Sequence, residues 1–298
     1  MSKRKNKAKL WVEGARLRTL PLAIAPIAIG AGASASADKF SLGLTLLALA
    51  VALFLQIGVN YANDYSDGIR GTDANRVGPL RLTGSKSVKP QAVKNAAFIF
   101  FALAAMSGLA IVLLTQHWWF LPVGAASIVA AWFYTGGKNP YGYAGLGELA
   151  VFIFFGLVAT YGTAYIQIGR FDLNALLGGV AAGLFASAVL MVNNIRDIDT
   201  DRHVGKRTLA VKVGKRWAKV IFFAMIWLPM TLLIVSPLIY PATFFAWATV
   251  FLLIPITLIV ATAKSPKELI LALKLTSFAA LGYALLLGFG LAAINFAV

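Results

Sequence analysis

Runs of about twenty mainly apolar residues recur along this chain, separated by short polar stretches. A helix needs about 20 such residues to cross roughly 30 Å of hydrocarbon. The pattern predicts nine crossings, at residues 19–37, 41–62, 93–115, 119–135, 147–168, 174–194, 219–239, 242–262 and 276–297. The expected fold class is all-α: a polytopic membrane helical bundle forming one domain over residues 1–298. The fourth segment is the shortest. In the sixth, Gly179 and Gly183 form a small-xxx-small pair that lets a neighbouring helix approach closely.

Composition supports lipid as the outer solvent. Hydrophobic residues make up 59% of the 298 and charged residues only 13%, against about 25% charged in soluble domains. A soluble core cannot hide that much apolar surface. The net charge of +16 would suggest nucleic acid in a soluble protein. Here its distribution explains it. Nine crossings put residues 1–18 and the even-numbered connections on one side, and of the 27 Lys and Arg all but Lys39 and Arg170 fall there. Positive charge marks the cytoplasmic side, so the N-terminal segment and the even loops are expected in the cytoplasm, the membrane being the cell's inner membrane, with no nucleic-acid partner. The basic opening, the apolar stretch and Ala33-Ser34-Ala35 have the outline of a secretory signal. With eight more segments following, the stretch is expected to be an ordinary first span.

The chain has no cysteine, and its two histidines, His117 and His203, are far apart. Cys-ligated metals, a Cys nucleophile and a His-based metal site are therefore not expected.

Six of the 11 acidic residues lie in two places. Asp64, Asp67 and Asp73 follow the second segment; Asp197, Asp199 and Asp201 follow the sixth. The first stretch reads Asn60-x3-Asp64-x2-Asp67-x3-Gly71 and the second Asn193-x3-Asp197-x3-Asp201-x3-Gly205. Both sit at the cytoplasmic end of an even-numbered helix, four spans apart. This suggests two four-helix repeats plus a ninth helix, with Asp-rich loops at 63–92 and 195–217. Residues three and four apart share a helix face. Asn60, Asp64 and Asp67 should line one helix end, and Asn193, Asp197 and Asp201 the other, aiming at least four carboxylates into one cavity. Unpaired carboxylates near a membrane are costly. A divalent ion relieves that cost; all-oxygen ligands favour Mg²⁺, Ca²⁺ or Mn²⁺, and Mg²⁺ typically takes one or two protein carboxylates plus waters and substrate phosphates. Nearby cations, including Arg81, Lys206 and Arg207, suit the phosphate oxygens that a metal leaves free.

Weaker signals lie between the loops. Glu148 is the only carboxylate inside a predicted span, near its start, where function and helix capping are equally open. Tyr134, Lys138, Asn139 and Tyr141 precede it and are placed to close over an aromatic substrate or to anchor the interface. Asp64-x2-Asp67-Gly68 opens like the CDP-alcohol phosphotransferase motif, but the rest of that motif does not follow. A cation-coupled transporter is the other alternative. Its sites usually lie near the bilayer midplane, whereas these aspartates sit at helix ends.

Taken together these stretches resemble the UbiA superfamily of intramembrane prenyltransferases. Asn63-Asp64-Tyr65-Ser66-Asp67 with Asp73 is similar to its first motif, and Asp197-x3-Asp201 to its second. Asn63-Asp64-Tyr65-x-Asp67-x3-Gly71-Thr72-Asp73, Arg76-Val77-Gly78-Pro79-Leu80-Arg81, Asn193-Asn194-Ile195-Arg196-Asp197 and Gly205-Lys206-Arg207-Thr208-Leu209-Ala210-Val211 are most similar to the branch acting on 1,4-dihydroxy-2-naphthoate. Ala15-Arg16-Leu17-Arg18-Thr19-Leu20 is similar too, with Leu17 where the family commonly has Pro and Lys86 where Gly often follows Thr-x-Ser.

The resemblance implies that Asp64, Asp67, Asp197 and Asp201 hold Mg²⁺ and, with Asn63, the diphosphate of a polyprenyl donor. Asp73 supports them, Lys206, Arg207 and Arg81 contact phosphate, and Asn60, Asn193 and Asn194 contact substrate. It also implies attack of an electron-rich ring on an allylic cation, loss of carbon dioxide, and demethylmenaquinone as product. A sister enzyme acting on 4-hydroxybenzoate or another aromatic acceptor is the alternative within the family.

Overall fold

The computed structural model describes residues 7–72 and 81–296. All regular structure among them is helical. In chain order the main helices are α1 (Lys7–Ala15), α2 (Pro21–Ser36), α3 (Leu42–Arg70), α4 (Pro90–Thr115), α5 (Phe120–Phe133), α6 (Gly147–Ile168), α7 (Leu173–Arg196), α8 (Ile198–His203), α9 (Leu209–Leu232), α10 (Pro241–Thr262) and α11 (Glu268–Ala292).

Every predicted apolar segment is found as a helix. Seven are long and apolar enough to cross a membrane among the described residues, and α1 with α2, bent by 47°, makes an eighth candidate. The fourth predicted span, α5, has 14 residues, short of the about 20 that a crossing takes. Large apolar side chains such as Leu114, Leu238 and Phe251 are exposed along the spans. That surface suits hydrocarbon, and the protein is a multi-pass membrane protein. α7 forms the centre: 72% of its most apolar stretch is buried, against 17% in α3.

Close packing follows from small residues. Gly156 of α6 faces Gly179 and Gly183 of α7, and a Cβ on Gly156 would lie 2.4 Å from the Gly183 backbone. The expected role of that pair is thus observed. Gly32 on α2 and Gly288 on α11 bring those helices equally close. α6 carries a π-helical stretch, Phe152–Val158, a distortion found often beside functional sites.

Several boundaries depart from the sequence expectation. α3 continues to Arg70, so residues 63–70 of the expected Asp-rich loop are helix. Its C-terminus is set by Gly71, whose φ of 73° lets the chain turn off the helix. The 195–217 loop contains α8 and the start of α9, which is broken at Gly214 by φ 78°, ψ 161°. The last helix starts at Glu268, ahead of the expected residue 276. Polar residues at helix ends hid these turns from a reading based on apolar runs.

Candidate active site

A cavity of about 580 Å³ is bounded by α2, α3, α4, α5, α6 and α7. Asn63, Asp67, Arg81, Asn193, Asp197, Asp201 and Lys206 line its polar end. Its other walls are apolar, with Gly108 and Leu109 of α4, Gly124 and Ile128 of α5, and Phe155 and Val158 of α6. Tyr134, Tyr141 and Tyr143, on the connection from α5 to α6, also line the cavity.

Asp67 is the hub of the first half. It is buried, its Oδ1 accepts hydrogen bonds from the Tyr143 hydroxyl at 2.6 Å and from Lys206 Nζ at 3.3 Å, and its Oδ2 lies 4.0 Å from Arg81 Nη2. Lys206 Nζ also sits 4.5 Å from the Tyr143 ring centroid, where the ring's negative face attracts a cation. Burial, and then the Asp67 charge, hold the Tyr143 phenol well above its usual range, so it stays a neutral donor. Burial likewise pushes the Tyr141 phenol up to about 12. Arg70 braces this corner by donating to the Thr135 and Gly137 carbonyls. Asn63 Oδ1 accepts from Thr135 Oγ1 at 2.7 Å.

The second half is built on the end of α7. The chain stays nearly helical through Asp197, whose N–H donates to Asn193 O and whose carbonyl accepts from Asp201 N–H at 2.8 Å. This keeps Asn193, Asp197 and Asp201 on one face, as their spacing predicted. The buried Arg196 guanidinium forks onto Asp197 with bonds of 2.7 and 2.6 Å and reaches Asn193 Oδ1 at 2.9 Å. The loops are joined through main chain, with Arg207 N–H donating to Tyr143 O at 2.9 Å. This seam carries Lys206 across to Asp67, so residues 139 apart in sequence share one ion pair.

Comparison with known proteins identifies the family. Residues 23–268 match the UbiA prenyltransferase family. The chain belongs to that family. The 1,4-dihydroxy-2-naphthoate octaprenyltransferase of Mycobacterium tuberculosis (strain ATCC 25618 / H37Rv) is 47% identical over 280 residues, 92% of this chain and 94% of that protein. The protein of the same description from Escherichia coli (strain K12) is 38% identical over 216 residues, 70% of each chain. Among solved structures, the apo UbiA homologue from Aeropyrum pernix K1 superposes with a TM-score of 0.67 at 20% identity, covering 93% of this chain and 98% of its own. A UbiA homologue from Archaeoglobus fulgidus bound to GPP and Mg²⁺ gives 0.63 at 16%, covering 95% and 99%. At such identities the likeness speaks for the fold.

Within this UbiA member, several expected site residues are placed otherwise than their spacing suggested. Asp64 does not line the cavity; its two oxygens accept the Leu82 and Thr83 N–H groups at 2.8 Å each. With the 100° advance per residue of an α-helix, Asp64 falls just off the stripe that carries Asn60, Asn63 and Asp67. The expected four-carboxylate cluster therefore reduces to Asp67, Asp197 and Asp201 on the cavity wall, and the described residues contain no group of three or more acidic or His side chains close enough to hold one ion. Glu148 is buried behind the wall, where Oε1 accepts from Asn194 Nδ2 at 2.9 Å. Asn194 itself lines the cavity. Asn60 lines it too, but its Nδ2 donates to Ala15 O and Thr19 Oγ1, fastening the bend between α1 and α2. Lys138 and Arg207 are exposed and absent from the wall. Asp73 lies outside the described residues.

Tyr143 is the site residue that sequence reasoning missed, and Arg196 stands out there only as one of the loop cations. Tyr143 lies two residues beyond Tyr141 with nothing in the local pattern to single it out. The 3₁₀ turn Tyr141–Ala144 points it at Asp67.

Proposed function

We propose that this protein transfers a polyprenyl chain from a polyprenyl diphosphate to 1,4-dihydroxy-2-naphthoate in menaquinone biosynthesis. Diphosphate and carbon dioxide are released, and the product is the quinol form of demethylmenaquinone. The observation that carries the reading is one cavity joining a rim of carboxylates and cations to a long apolar wall. The naphthoate acceptor rests on the 37–47% identity to proteins of that description.

The donor set fits Mg²⁺. Asp67, Asp197 and Asp201 offer hard oxygens, and an ion of this kind binds through one or two carboxylates plus substrate phosphates, so a three-carboxylate cage is not required. When bound, Mg²⁺ supplies Lewis-acid stabilisation of the departing diphosphate. Lys206 and Arg81, beside Asp67, supply positive charge to the same leaving group. Tyr143 and Arg196 fix the carboxylates that they touch. The allylic carbon–oxygen bond breaks, and the ring carbon bearing the carboxylate forms the new bond to that allylic carbon. Loss of carbon dioxide then returns its bonding electrons to the ring. The apolar walls of α4, α5 and α6 receive the prenyl tail and exclude water from the allylic cation. The charge asymmetry supports a cytoplasmic rim on the inner membrane.

The test is to reconstitute purified protein in lipid nanodiscs with a polyprenyl diphosphate, Mg²⁺ and either 1,4-dihydroxy-2-naphthoate or 4-hydroxybenzoate, and to identify products by mass. The expected result is a prenylated naphthoate product lighter by one carbon dioxide than the simple adduct. Turnover of 4-hydroxybenzoate alone refutes the acceptor assignment.

A further inference from the structure

We infer that Asp64 is a positioning residue and not a metal ligand: its carboxylate clamps the turn that begins at Arg81 against α3, and so sets Arg81 beside Asp67. What Arg81 meets there rests on the prenyl-transfer reading; the clamp itself rests on geometry.

Asp64 is 1% exposed, against 4% for Asp67. Each of its oxygens takes one main-chain donor, Leu82 N–H on Oδ2 and Thr83 N–H on Oδ1, both at 2.8 Å. Two such bonds, one to each oxygen, satisfy successive amides and fix a short turn. The same side of α3 is shaped to receive that turn. A Cβ on Gly68, one helical turn past Asp64, would lie 2.4 Å from the Thr83 side chain. Opposite, a Cβ on Gly14 of α1 would lie 2.6 Å from Leu82 Cδ1, and Leu82 is fully buried. The turn closes on itself through Ser85 N–H to Arg81 O and Ser87 N–H to Leu82 O. Arg81, the residue before the clamped pair, leaves the clamp on the cavity side with Nη2 4.0 Å from Asp67 Oδ2.

The chain has no native cysteine, so a single spin label at S85C, an exposed position on the turn, reports its mobility in nanodiscs. Two variants release the turn by different means. D64N removes one acceptor and the charge. G68A adds a methyl group against Thr83 while leaving every carboxylate intact, and Ala favours the helix that carries it. Both should mobilise the label and raise the KM for prenyl diphosphate about tenfold, the loss of roughly one good contact. Both should leave the half-activating Mg²⁺ concentration within about twofold, and R81A added to either should raise KM little further, because coupled residues are not additive. The inference is overturned if D64N shifts the Mg²⁺ requirement about tenfold or more, as a lost ligand would, while its label stays immobile. It is equally overturned if G68A leaves label and KM as in the parent. Should the parent protein turn over no prenyl diphosphate, the functional reading falls, and label mobility in the two variants still decides the clamp.

Discussion

Asp67→Asn tests the hub of the site. The substitution keeps the shape of the side chain and removes its charge. In the parent, that charge accepts a 2.6 Å bond from Tyr143 and a 3.3 Å bond from Lys206. The Asp67 and Lys206 side chains are only 6% and 11% exposed. Breaking a buried ion pair from one side costs about 3–5 kcal/mol, because the remaining charge is left uncompensated. The long Lys206 contact and the ring of Tyr143 beside its ammonium place this case at the lower end, near about 3 kcal/mol by the same scale. Adding Lys206→Met removes the stranded charge and should recover most of the loss in a denaturation measurement. Activity should behave differently. Asp67 is proposed to hold Mg²⁺, so turnover should fall by about 10²–10³, the usual cost of removing one preorganised electrostatic contact. The double variant should fold and remain inactive in the mass-resolved product assay. Turnover by the Asp67→Asn variant within about tenfold of the parent would show that the charge is structural and the proposed metal role wrong.

Three further outcomes are expected. Tyr143→Phe deletes the shorter of the two bonds to Asp67 and should lower kcat by about tenfold, with little change in KM for the naphthoate and a stability loss of about 1.5–3 kcal/mol, the worth of a hydrogen bond to a charged group. Gly108→Phe and Gly124→Leu place side chains where a Cβ meets no other atom within 4 Å on the apolar wall; they should shorten the longest prenyl donor accepted while a two-isoprene donor still reacts, read by competition among donors of different length. Gly32→Leu forces side-chain atoms into the Gly288 carbonyl, 2.3 Å from the first added carbon, and should abolish the monodisperse peak in detergent size-exclusion chromatography.

What the sequence made legible was whatever has a period or a sign. Apolar run length located the spans, and the i, i+4 spacing of Asn193, Asp197 and Asp201 located a shared face that survives the break between α7 and α8 because the Asp201 N–H to Asp197 O bond continues the helical path. The same spacing misled at Asp64. Helical projection places it only about 60° from Asp67, and nothing local distinguishes a carboxylate that meets a cavity from one that meets the amides of a turn 18 residues later. That distinction belongs to the tertiary fold: it depends on Gly68 and Gly14 leaving room for Thr83 and Leu82. Tyr143 was hidden for the same reason. Its partners, Asp67, Thr72 and Lys206, come from the end of α3, the turn after it and the segment between α8 and α9, and the main-chain bond from Arg207 to Tyr143 helps bring them together. A motif therefore names the residue types that a diphosphate site needs, while the loops decide which of them face it. In this protein the acidic residue nearest the motif's start accepts the amides of a loop, and the carboxylate that lines the cavity is Asp67, one turn on.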